Sequence, residues 1–203
     1  MSPRSKEAFE AMRKTTKQKI ENAALSLIAR KGTSITIDEI AKNAEISKGL
    51  LYNHYASKEA LIEELTRQTT FITGKTIGSI VEESGSAAEK IQKITSIVTD
   101  IFSGDYRGIE NFMFIAQIEI SGFLADKPIY DLPEAPNPLE SLTKIIIAGQ
   151  QEGTVVLGVP VQLAMTYWAT IQGLSSYIIM GVPVVPSPEM LLRILLKENH
   201  LYD

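Results

Sequence analysis

The stretch TIDEIAKNAEISKGLLYNHYASKEALIEEL, residues 36–65, decides how this chain folds. Thr36 stands directly before an apolar-periodic run and Glu39 follows three residues later. This is the reciprocal pattern that satisfies two orphan N–H groups at a helix start. The helix it opens shows Ile37, Ile40 and Ala41 and is short, because Glu45, Ile46 and Ser47 follow at once. Ser47 caps a second helix, expected to run through Gly49, Leu50, Leu51 and Tyr52 to about Tyr55, and Ser57 caps a further one beginning KEALIEEL. Residues 36–55 therefore read as two short helices joined by a tight turn. Ile35 to Ile37 form the one plausible strand, and the capping box outweighs it.

A longer helix precedes the pair. In TKQKIENAALSLIARKG, residues 16–32, the apolar positions Ile20, Ala23, Ala24, Leu27 and Ile28 recur at helical spacing, and Gly32 closes the run after Arg30 and Lys31. Leu51 and Tyr55 are expected to pack on Ile20, Ala24, Ile40 and Ala41, completing a three-helix unit that contains a helix-turn-helix. In such a motif the second helix lies in the major groove of DNA, which admits one α-helix. The residues left facing outward suit that role. Gly49 lets the backbone come close. Thr36, Ser47, Lys48, Tyr52 and Lys58 offer hydroxyls and ammonium groups to phosphates, and Asn53 and His54 could reach base edges. Taken singly, each has a plain reading too: a surface lysine, a core tyrosine, a structural histidine.

The charge distribution adds an asymmetry. Residues 1–58 hold 11 Lys+Arg against 6 Asp+Glu, whereas residues 59–203 hold 9 against 18, within a net charge of −4. A basic segment on an acidic body fits a nucleic-acid-facing element, and on charge alone it fits a solvated lysine-rich surface equally well. The composition, 44 % hydrophobic and 22 % charged, is that of a soluble globular protein. With no cysteine, disulfides, thiolate catalysis and Cys-based metal sites are excluded. The first thirty residues are charged throughout, unlike a signal peptide, and the longest apolar stretch is broken by Gln162, Thr166, Gln172, Ser175 and Ser176. The expectation is a cytoplasmic protein with no membrane contact.

Residues 36–65 resemble the DNA-binding signature of the tetracycline-repressor (TetR) family of bacterial transcriptional regulators. The resemblance rests on a Thr-capped IDEIAKNAEIS, then Lys48-Gly49, a Leu-Tyr pair and SKEAL, and it covers about residues 16–65. It implies an all-α fold: an N-terminal three-helix unit with the helix-turn-helix over residues 1–58, a linking helix from about residue 58, and a larger helical domain for ligand binding and dimerisation over residues 59–203. It also implies DNA-facing roles for Thr36, Ser47, Lys48, Leu50, Tyr52, His54 and Lys58. Asn53 stands where an aromatic residue or histidine is common, so the operator sequence is not implied.

Beyond residue 65 the pattern is a helical body. SAAEKIQKITSIVTDIFSG carries a stripe of Ile91, Ile94, Val98, Ile101 and Phe102, while GIENFMFIAQIEISGFL is apolar on most faces. DKPIYDLPEAPNP must be a loop. A helix follows from Asn137 and Pro138 to Gly153, then a long one from about Val161 to Met180 and a last one from about Pro188 to Asn199. The resemblance implies that the last two form a dimer interface. Phe112, Met113, Phe114, Gln117, Tyr167, Trp168 and Gln172 are candidates for a small-molecule pocket, each with core packing as its plain alternative.

Catalysis is not expected. His54 and His200 are the only histidines, and no glycine-rich phosphate loop, HExxH or GxSxG motif occurs. No metal and no cofactor are called for. The function expected is that of a ligand-responsive regulator, most simply a repressor, that binds double-stranded operator DNA as a homodimer and is released by an apolar or amphipathic effector. A helical sensor that acts only through protein contacts is the alternative.

Overall fold

The computed structural model describes residues 3–123 and 136–201. Among them no strand occurs beyond a single antiparallel bridge between Val155 and Leu196. The elements are α1 (Pro3–Lys31), α2 (Ile37–Asn43), α3 (Lys48–Tyr52), α4 (Lys58–Glu82), α5 (Ala87–Gly104), α6 (Tyr106–Ser121), α7 (Pro138–Glu152), α8 (Pro160–Ile179) and α9 (Pro188–Leu192), followed by a single 3-10 turn (Glu198–His200). No described helix is long and apolar enough to cross a membrane.

The local signals act as their chemistry requires. Thr36 Oγ1 accepts from the Glu39 N–H at 3.2 Å while Glu39 Oε2 accepts from the Thr36 N–H at 2.9 Å, closing the capping box of α2. The second of these bonds, followed by the hydrogen bond from Lys31, holds the Glu39 carboxyl below its ordinary range. Ser47 and Ser57 cap α3 and α4 through the N–H groups of Leu50 and Ala60. Between α2 and α3 the chain reverses through Glu45, a non-glycine residue at φ 56. That left-handed conformation costs a side-chain-bearing residue about 1–2 kcal/mol, and the turn needs it to swing α3 across α2.

Two apolar clusters form. The first, in the head, joins Ile20, Ala24, Ile28, Ile40, Ala41, Leu51 and Tyr55 with Leu61, Ile62 and Leu65 of α4 and with Phe114 and Ile118 of α6. The second, in the body, joins α4, α5, α7, α8 and the C-terminal residues around Ile91, Leu142, Tyr167 and Leu195. Thus α4 and α6 each contribute to both regions of the molecule.

Three helix boundaries differ from those expected. The first helix begins at Pro3 rather than near Thr16. Residues 7–15 are exposed all round, so they carry no apolar stripe, and their helix-favouring composition alone sustains them. The second helix of the pair stops at Tyr52, with Asn53 as its C-cap, instead of reaching Tyr55. The last helix ends at Leu192 instead of near Asn199. There the Val156 N–H donates to Leu195 O and the Lys197 N–H to Thr154 O, so the chain is drawn out against the α7–α8 connector. Leu195 is fully buried in this chain's own core, which removes it from any surface through which two copies could associate. The proline-rich loop expected from Asp126 lies mostly outside the described residues.

Candidate nucleic-acid interface and ligand cavity

α3 turns one residue inward and the rest outward. Leu51 is wholly buried against α1 and α2, whereas Ser47, Lys48, Gly49, Leu50, Tyr52 and Asn53 form an exposed surface. A Cβ added at Gly49 would meet nothing within 4 Å, so no neighbour inside the chain requires glycine there. Lys48 Nζ lies 3.0 Å from Asp38 Oδ2; the hydrogen bond and the charge of Asp38 push the lysine up from its ordinary value. Tyr55 is buried and its hydroxyl donates to Glu21 Oε1 at 2.7 Å. Burial and then that bond push the phenol well above its usual range.

Two candidate DNA-facing residues sit differently from the others. Lys58 is half-buried, and its ammonium donates to Thr33 O at 2.9 Å and Ile35 O at 3.1 Å, tying the α1–α2 loop to the start of α4. His54 is also half-buried, near Arg13, Lys17 and Glu21 of α1; burial first, then Arg13 and Lys17, hold its imidazole below the ordinary value of 6.5. Its surroundings are therefore α1 rather than the open surface of α3.

The body encloses a cavity of about 520 Å³ between α4, α5, α6 and α8 and the start of α7. Of the seven residues expected to line a pocket, Phe112, Trp168 and Gln172 do so. The other four do not. Phe114 is wholly buried in the head cluster, and Gln117 turns toward Gly32, where its Oε1 stands 3.2 Å from the position of an added Cβ. Met113 is buried away from the cavity, while Tyr167 is buried in the body core, its hydroxyl 2.9 Å from Thr95 Oγ1 and its pKa pushed up to about 12 by desolvation. The reason is the turn of α6: Gly108, Phe112, Ile115 and Glu119 share the cavity face, while Phe114 and Ile118 point at the head.

Sequence reasoning passed over the wall supplied by α4. Thr69, Thr70, Thr73 and Thr76 line the cavity at helical spacing. A run of threonines on the face of a helix otherwise expected to be buried was the available signal. Thr70 Oγ1 and Trp168 Nε1 are both buried without a hydrogen-bond partner.

Head and cavity meet along α6. Ile115 lines the cavity and also packs against the head cluster. One turn earlier, buried Glu110 accepts from Ser26 Oγ of α1 at 2.6 Å and lies 3.6 Å from Arg30. Arg30 in turn donates to Tyr106 Oη at 2.7 Å.

A helix-turn-helix head with an exposed second helix, joined through two helices to a cavity-bearing helical body, defines the class as a DNA-binding regulator. Residues 20–65 match the family model described as bacterial regulatory proteins, tetR family, so this part of the chain is a TetR-type DNA-binding unit. Solved structures of like fold include a gamma-butyrolactone receptor (ArpA-like protein), 18 % identical, covering 94 % of this chain and 93 % of that one at a TM-score of 0.66. Another is the ketosteroid transcriptional regulator KstR2 of Mycobacterium tuberculosis, 19 % identical over 90 % and 95 % of the two chains, TM-score 0.64. A third is the fatty acid degradation regulator FadR from Bacillus halodurans, 15 % identical over 87 % and 94 %, TM-score 0.62. At these identities the likeness concerns the fold. The comparison with curated proteins found no match.

Proposed function

We propose that the protein is a homodimeric repressor whose α3 enters the major groove of operator DNA and whose cavity takes an apolar or amphipathic small molecule that lowers DNA affinity. The observation that carries this reading is the double role of α4 and α6, which build the head core with one part of their surface and the cavity wall with another. A molecule filling the cavity must press on Ile115 and Phe112, and α6 transmits any shift to α1 through Phe114 and the Ser26–Glu110 hydrogen bond. A ligand that prefers the shifted state is weakened by DNA by the same factor as it weakens DNA, typically about 5–150-fold. The relatives of like fold are named for a lactone, a ketosteroid and fatty acid degradation, which agrees with a small, largely apolar effector.

Within this reading residues 1–58 are the reading head, with α4 as the linking helix, and residues 59–203 the ligand-binding and dimerisation part. The DNA-contacting set is Ser47, Lys48, Gly49, Leu50, Tyr52 and Asn53, with Thr36 at the start of α2. Lys58 serves first as a tether for the α1–α2 loop, and His54 first as a contact with α1. Dimerisation is assigned to the outer faces of α7 and α8, where Ile147, Tyr177 and Met180 stand exposed. Leu174 packs against the body core and Leu195 lies inside it, so neither belongs to that surface.

The test is an electrophoretic shift with the DNA flanking the protein's own gene, repeated at rising salt. A specific shift is expected, and Lys48→Ala should reduce the slope of log K against log salt by about one unit, the loss of one phosphate contact. Absence of any shift under low-salt conditions favours a sensor that acts through protein contacts alone. In sedimentation, Tyr177→Glu should yield monomers that remain folded.

A further inference from the structure

We propose that the N-terminal part of α1, residues 7–19, is a second DNA-contacting element, whose Arg13 and Lys14 engage phosphates of the duplex outside the stretch that α3 reads. This rests on the DNA-binding reading above and extends it to a segment that precedes the matched unit, which begins at residue 20. α1 runs from Pro3 to Lys31, yet none of residues 7–19 is buried, and Ile20 is the first that is. Residues 7–15 are exposed on every side, so this part of the helix adds nothing to the head core. By itself such a segment would be marginal in water; it is held because it continues a packed helix.

The charge of the segment suits a polyanion. Residues 1–19 hold Arg4, Lys6, Arg13, Lys14, Lys17 and Lys19 against two carboxylates, Glu7 and Glu10. Among the described residues 7–19, Lys17 alone is held in ion pairs, 3.6 Å from Glu21 and 3.6 Å from Glu64 of α4. Arg13 and Lys14 are exposed and belong to no such pair, so their charges are available to phosphates. Exposed Phe9 and Met12 on the same segment offer the alternative, an apolar contact with a second copy of the chain. The surplus of positive charge, through which two such segments repel each other, favours DNA.

Position makes the segment continuous with the helix-turn-helix. His54, two residues past the end of α3, lies beside Arg13 and Lys17. Glu21 Oε1 accepts from Tyr55 Oη at 2.7 Å and from Gln68 Nε2 of α4 at 3.0 Å, which ties the chain after α3 to α1 and α4 at one point. Residues 4–31 contain neither glycine nor proline, so the segment leaves that point as an unbroken continuation of the packed helix. Arg13 stands seven residues before Ile20, which is about 10 Å farther along the axis. With phosphates spaced about 3.4 Å along each strand, this is a reach of roughly three nucleotides. It meets backbone that α3, only five residues long, leaves uncovered.

The experiment compares the full-length wild type with the double variant Arg13→Gln/Lys14→Gln, and with Lys144→Gln on exposed α7 as a control for net charge. Binding is measured by fluorescence anisotropy from about 50 to 200 mM salt, against the gene-flanking fragment and against a random duplex of equal length. The double variant should lower the slope of log K against log salt by about two units on both duplexes. Its affinity at intermediate salt should fall by roughly 10-fold or more, with the denaturation midpoint unchanged. Lys144→Gln should leave slope and affinity as they are. A double variant with wild-type slope and affinity overturns the proposal, while the role of α3 still stands on Lys48→Ala. A loss confined to the gene-flanking fragment overturns it too, because phosphates carry no sequence. So does a fall in association state, seen by sedimentation in Phe9→Ser/Met12→Ser, whose DNA binding matches the wild type. A wild type that binds neither duplex removes the DNA-binding reading itself and the proposal with it.

Discussion

The head and the body are built from the same material, amphipathic helices with aliphatic interiors, but they close differently. In the head, α1, α2, α3 and the start of α4 converge on Ile20, Ile28, Ile40, Leu51 and Leu61, all at or near zero exposure. In the body, α4, α5, α6 and α8 stop short of one another and leave about 520 Å³ lined by threonines, isoleucines and two aromatic rings. A closed core makes a rigid platform that holds one surface helix in place. An unfilled one has somewhere to move and something to bind. The shared helix α6 shows both on one element, since Phe114 fills the head core while Phe112, two residues earlier, faces the cavity.

That pair gives the sharpest way to break the comparison. Phe114→Ala should cost about 3–5 kcal/mol of stability, the usual loss for a ring removed from a packed core. Phe112→Ala should cost clearly less, because that ring already borders empty space, yet it should alter the binding of any cavity ligand. Chemical denaturation of the two variants measures the difference. Equal losses would mean that the body is packed as tightly as the head.

A smaller effect concerns pH in the head. His54 is held below 6.5, with burial as the main cause, so the unfolded chain binds a proton over a range where the native head does not. Stability should therefore be fully present above the unfolded value and decline as pH falls through the folded one. The decline should be absent in His54→Gln. Denaturation midpoints at pH 7.5 and pH 5 for both proteins measure it. A wild type and variant with the same pH dependence would remove His54 from the packed side of the head.

What could be read from the sequence follows the same division. Caps at Thr36, Ser47 and Ser57 act over three residues, and the inward set of Ile20, Ala24, Ile40, Ala41, Leu51 and Tyr55 follows from helical period, so the head was readable without distant partners. The cavity depends on which face of α6 looks at α1 and which at α8. A helix apolar on most faces gives no such direction, which is why Phe112 and Phe114 looked alike in sequence. The end of the chain was unreadable for a related reason. Leucines at 191, 192, 195 and 196 suit one continuous helix, yet only the first two lie in α9, and the hydrogen bonds between residues 154–156 and 195–197 draw the following chain away from it.

The central claim is that the exposed face of α3 exists to meet DNA, not to support the fold. Gly49 tests it most directly, because an added methyl there has open space around it within the chain. Gly49→Ala should be at least as stable as the wild type, since alanine is favoured over glycine in a helix by up to about 1 kcal/mol. Its affinity for the DNA flanking the gene, measured by fluorescence anisotropy, should nonetheless fall by roughly 10-fold or more, as a methyl group holds the backbone off the groove. Unchanged affinity in a folded Gly49→Ala variant would contradict the account.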